Sequence, residues 1–145
     1  MKQIFSIFAV LMIFIILFNP VFATTQLEKM NISNVRLVDA SNNKLPNQIN
    51  VNQQVQISAD VKNNQEKNQN FTYIVQVKNQ EGIVVSLGWI SSTINAGQTF
   101  SPALSWAPKI SDIYTVEIFV WEAADDGTDI MGAALTEQKI ITITS

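Results

Sequence analysis

The chain has 145 residues and a net charge of −3; 47% of its residues are hydrophobic, 14% are charged, and there is no cysteine and no histidine. Those absences exclude a thiol nucleophile, a Ser-His-Asp triad, a zinc site of the usual ligand set and a type 1 copper centre. A pI near 4.8 offers no basic footprint for nucleic acid, and the length fits a single domain.

Lys2 precedes an apolar run from Ile4 to Phe18 whose only polar member is Ser6. Those 15 residues fall short of the roughly 20 that cross a bilayer and suit a signal-peptide core, about 7–15 residues long. Asn19 and Pro20 break the run, and Val21-Phe22-Ala23 presents small residues to a signal peptidase. The expectation is an N-terminal hydrophobic signal helix in residues 1–23, cleaved after Ala23, and an exported domain in 24–145. The alternative is an uncleaved anchor, the one route by which this chain would engage a membrane. A lipoprotein anchor is excluded, since no cysteine follows. Export leaves 122 residues with eight basic and twelve acidic side chains, a charge of −4. A chain of that size can bury enough apolar surface to fold without disulfide staples.

From Thr24 onward apolar residues recur with period two between short polar clusters, the pattern of an all-β sandwich. A first strand is expected over 32–39, ended by Asn42-Asn43-Lys44 and Pro46. Val55, Ile57, Ala59 and Val61 form the clearest half-buried strand, closed by the polar segment Asn63 to Gln69. Phe71, Tyr73, Val75 and Val77 form the next, followed by a turn at Asn79-Gln80-Glu81-Gly82 whose glycine can supply a positive φ. A longer β segment over 83–94 should bend near Gly88. After Asn95-Ala96-Gly97 a strand over 100–106 contains Pro102, tolerable only at an edge or bulge. Strands to Glu122 and over 138–144 complete seven or eight in all. In Ser111-Asp112-Ile113-Tyr114-Thr115-Val116, Asp112 and Tyr114 have the spacing of a tyrosine corner, with Val116 where antibody domains carry cysteine. The fold expected is an immunoglobulin-like two-sheet Greek-key sandwich; a closed barrel is the alternative.

Val51-Asn52-Gln53-Gln54-Val55-Gln56-Ile57, Asp60-Val61-Lys62-Asn63-Asn64, Ile94-Asn95-Ala96-Gly97-Gln98-Thr99, Leu104-Ser105-Trp106-Ala107-Pro108 and Tyr114-Thr115-Val116 resemble, in succession, the CARDB-like, immunoglobulin-type domains of exported archaeal and bacterial proteins, among them cell-surface proteins of ammonia-oxidising archaea. The resemblance covers about residues 32–145 and implies a surface spacer or adhesion module, often in tandem, with no catalytic residue to carry over. This chain departs from that habit in having one copy.

Three groups of residues could carry chemistry. Asp125, Asp126 and Asp129, with Gly127 between them, are hard oxygen ligands suited to calcium, although their spacing is not that of an EF-hand and equally suits a solvated hairpin tip; no other cofactor is expected. Asp112 with Asp125 and Asp126 could be read as paired acids of a glycosidase, but a single small sandwich seldom builds the cleft they need. If Tyr114, Val116, Ile118 and Val120 face inward, Phe119 and Trp121 face outward, where with Ile74 and Trp89 they form an apolar patch or a second small core under a loop. Trp106 is expected in the core. Asn31-Ile32-Ser33 and Asn70-Phe71-Thr72 are glycosylation sequons, with Asn31 and Asn70 as acceptors.

These readings converge on a non-catalytic module at the cell surface that acts in adhesion or envelope structure, with an envelope protein or polysaccharide as partner. Two alternatives remain. One is an assembly subunit joined through an edge strand or a retained N-terminal helix; the other is a small secreted inhibitor acting through an exposed loop.

Overall fold

The computed structural model describes residues 24–123 and 131–145; the expected signal segment in residues 1–23 lies outside them. A short 3-10 turn, Gln26–Glu28, precedes nine strands: β1 Met30–Val38, β2 Lys44–Leu45, β3 Val55–Asn63, β4 Gln69–Lys78, β5 Val84–Ile94, β6 Thr99–Phe100, β7 Ala103–Trp106, β8 Ile113–Glu122 and β9 Lys139–Thr144. They form two antiparallel sheets. One has the order β2-β1-β3-β6, with β7 also on β3; the other has the order β5-β4-β8-β9. The chain leaves the first sheet after β3, returns to it at β6 and β7, and crosses again to β8. The nine described strands thus lie in two open sheets, where a closed barrel was the alternative.

Alternation decides which side chains fill the space between the sheets. Val55, Ile57, Ala59 and Val61 of β3 meet Phe71, Tyr73, Val75 and Val77 of β4 and Tyr114, Val116, Ile118 and Val120 of β8 in one buried cluster. Leu135 and Ile143 complete it near the C-terminus. The inward parity expected for β3, β4 and β8 is the one found.

Several local features differ from expectation, each for a backbone reason. Residues 44–45 pair with β1 as a hairpin, because Asn42 takes φ +64° and Asp39 Oδ1 accepts from the Ser41 and Asn43 amides at 2.8 Å each. Polar residues that looked like a plain loop therefore close a turn. Gly88 pairs regularly with Val75, and the irregularity of β5 lies at Val85, where the register slips between Val77 and Lys78. Pro102 splits the expected 100–106 strand into β6 and β7, since it has no amide to donate to β3. The turn before β5 closes as expected, with Gly82 at φ +81° and its amide donating to Asn79 O at 2.9 Å.

Candidate functional site

The outer face of the second sheet gathers Trp89, Phe119 and Trp121, whereas the exposed Phe100 lies on β6 of the first sheet. Cross-strand pairing sets Trp89 of β5 opposite Ile74 of β4, and Ile74 opposite Phe119 of β8. Trp121 lies opposite Thr72, and its ring centroid is 6.3 Å from that of Phe119 in an edge-to-face arrangement. Trp89 is 59% exposed and Trp121 36%, Phe119 is half-buried, and Ile74 is 7% exposed between them. The three rings thus line a strip that runs obliquely across β5, β4 and β8.

Hydrogen-bonding side chains flank the strip on both sides. On one, Glu117 accepts from Gln76 Nε2 at 2.7 Å and pairs with Lys78 Nζ at 2.8 Å. The hydrogen bond from Lys78, then that from Gln76, holds the Glu117 carboxyl below its usual range. On the other, Thr72 Oγ1 lies 2.9 Å from Ser91 Oγ, and Thr93 Oγ1 donates to Asn70 Oδ1 at 2.6 Å. An apolar strip between two rows of donors and acceptors can hold a ligand by ring contact and orient it by polar contact.

The other sequence-derived positions lie apart. Tyr114 is buried, its hydroxyl donates to Ile110 O at 2.9 Å, and its ring packs edge-on against Trp106 with centroids 4.9 Å apart. Asp112 Oδ1 accepts from the Ile113 amide, and the Asp112 backbone exchanges hydrogen bonds with Ser145. Both residues therefore serve the end of the sandwich. Trp106 is half-buried and packs against the core, but it also borders a cavity of about 460 Å³ with Val85, Pro108, Lys109 and Ile110. Asn31 is exposed on β1, across the sandwich from the strip, whereas the half-buried Asn70 is bonded to Thr93 at its edge. Asp125, Asp126 and Asp129 lie outside the described residues. Their neighbour Glu122 accepts from Gln26 Nε2 and Lys29 Nζ, each at 3.1 Å. Among the described residues no group of three or more acidic residues is placed to hold a metal ion.

Sequence reasoning missed the extent of exposed apolar surface on β5. Val84, Val85, Leu87, Trp89 and Ile90 are all exposed, as is Ile83 just before the strand. A near-continuous run of apolar residues reads the same in sequence whether its strand is covered or open, and the place of β5 at the edge of the sheet exposes it.

Among solved structures, the C-terminal domain of Wzt superposes with a TM-score of 0.61 at 12% identity, covering 81% of this chain and 74% of that one. A CARDB domain from Pyrococcus furiosus, solved with di-metal ions, gives 0.50 at 14% identity, covering 84% and 93%. A glycoside hydrolase family 2 beta-glucuronidase gives 0.50 at 12% identity, but the match takes in 79% of this chain and only 11% of the enzyme. Likenesses at such identities establish the fold alone. No curated protein matches the chain. A family model matches residues 3–127, most of the chain, and on that match the chain belongs to the S-layer A-like family.

Proposed function

We propose that this protein is an exported, non-catalytic, immunoglobulin-like module of the cell surface, acting in envelope structure or adhesion through the outer face of its second sheet. The aromatic strip of Trp89, Phe119 and Trp121 carries the reading. Water-facing aromatic rings beside ordered hydroxyl, amide and carboxylate groups suit a polysaccharide, whose C–H faces lie on rings while its hydroxyls meet the flanking polar side chains. Membership of a surface-layer family and the likeness to the Wzt C-terminal and CARDB domains support an envelope setting.

The test is retention of the purified protein on envelope polysaccharide and on envelope protein fractions. Polysaccharide should retain it, and Phe119→Ser with Trp121→Ser should weaken that binding at least tenfold while the circular dichroism spectrum stays unchanged. Retention by protein fractions alone would replace the glycan with a protein partner. Retention by neither would remove the contact role.

A further inference from the structure

The four sheet edges are not treated alike. In the first sheet, β2 is two residues long and is followed by Pro46, and the β6–β7 edge is interrupted at Pro102. In the second sheet, the end of β9 is paired, with the Ile49 amide donating to Thr144 O at 3.0 Å and the Thr144 amide to Asn47 O at 2.9 Å. Short strands, prolines and covering segments are the devices that blunt an edge against other chains. β5 has none of them. It runs for eleven residues without proline, pairs with β4 on one side, and has no backbone partner on the other among the described residues.

Charge, a further protective device, is missing as well, and the bulge at Val85 leaves Ser86 to Ile94 in unbroken register with β4. Residues 82–108 contain no Asp, Glu, Lys or Arg, where the chain's 14% average would place about four in those 27 positions. This stretch supplies β5, β6 and β7, and β5 and β7 lie side by side at the same flank of the sandwich. β5, β6 and β7 are therefore built without a charge that could repel identical strands; Lys109, which borders the cavity beside Val85, lies just beyond them.

We infer that β5 pairs antiparallel with β5 of a second copy of this chain, joining two four-stranded sheets into one of eight across a two-fold axis. Antiparallel pairing of a strand with itself is self-complementary, and a charge near the axis would face its own image. A register centred on Gly88 sets Leu87 of each copy opposite Trp89 of the other, covering side chains that are 54% and 59% exposed in the single chain. With Gly88 on the axis residues 84–92 pair, nine residues extending about 30 Å, and with a sheet about 10 Å thick the contact is roughly 300 Å² per copy. The pair total stays below the roughly 1,200 Å² of a lasting complex, so the association is weak and reversible. The inference does not require glycan binding, although Trp89 belongs both to the strip and to this contact.

Sedimentation equilibrium of protein purified from cells expressing the full chain tests it. A monomer–dimer equilibrium should appear in the upper micromolar range and persist at 0.5 M salt. Leu87→Lys and Leu87→Glu should each weaken it at least tenfold. Mixing the two variants should restore association, because the opposite charges then lie on a diagonal about 7–8 Å apart. Ile140→Lys, an equally exposed apolar position on β9, should leave it unchanged. A protein monomeric at every concentration, a dimer indifferent to Leu87, or a failure of the mixture to associate would each overturn the inference. A polysaccharide-binding result of either sign would leave it standing.

Discussion

Tyr73 and Tyr114 are both buried, yet their hydroxyls meet different fates. The Tyr114 hydroxyl bonds to Ile110 O, while that of Tyr73 has no partner among the described residues. Burial alone pushes the Tyr73 phenol well above its ordinary pKa. Taking an unpaired hydroxyl out of water costs free energy, and a formed bond returns about 1 kcal/mol. Tyr73→Phe should therefore raise stability by about 1 kcal/mol, and Tyr114→Phe should lower it by about as much. Urea midpoints at constant slope would measure both. The contrast also bounds what was legible at this scale. The position of Tyr114 two residues after Asp112 pointed to its turn, but alternation could place Tyr73 inward without revealing what surrounds its hydroxyl.

At the level of elements, Asp60 of β3 ties three segments together. Its carboxylate accepts from Asn34 Nδ2 at 2.9 Å, Arg36 Nη1 at 2.8 Å and Ser101 Oγ at 2.7 Å. Asn34 sits at φ +48° within the β1 bulge, and Ser101 stands beside the proline that divides β6 from β7. One carboxylate thus steadies two interruptions of the ladder. The bonds from Asn34, Ser101 and Arg36 hold Asp60 below its usual pKa, as those from Gln26 and Lys29 do for Glu122. A carboxylate with a depressed folded-state pKa adds stability above its unfolded value, near 4, and loses it as pH falls through the lower folded value. The urea midpoint should accordingly drop as pH falls below about 4. Asp60→Asn should lower the midpoint at pH 7 and make that acid drop shallower. The alternating strands β3, β4 and β8 could be read from the sequence because each buries one face. The β1 bulge and the β2 hairpin could not, because their turns are set by positive-φ asparagines and Asx bonds that composition shows only as a polar cluster.

For the whole molecule, the reading as an exported module makes a statement about its N-terminus. Mass spectrometry of the native product should find a chain beginning at Thr24. An intact Met1 would show the apolar segment retained as an anchor, and the sandwich would then work tethered to a membrane. The edge and the outer face of the second sheet also acquire meaning at this scale. β5 brings Trp89 to the strip and Leu87 to the edge, so a surface contact and a self-contact lie within one strand.

The order of apolar and polar residues by itself determined an all-β chain, the inward rows of β3, β4 and β8, and the outward placing of Phe119 and Trp121, while leaving a two-sheet sandwich and a closed barrel both open. A dry interior between two sheets requires a period of two, and that period is local information. Only the tertiary structure decided that Trp89, Ile74, Phe119 and Trp121 form one strip and that β5 lies at an open edge. Strand neighbours are chosen by contacts between residues far apart in the chain. An apolar strand looks the same in sequence whether it is covered on both sides or left with one side open to water.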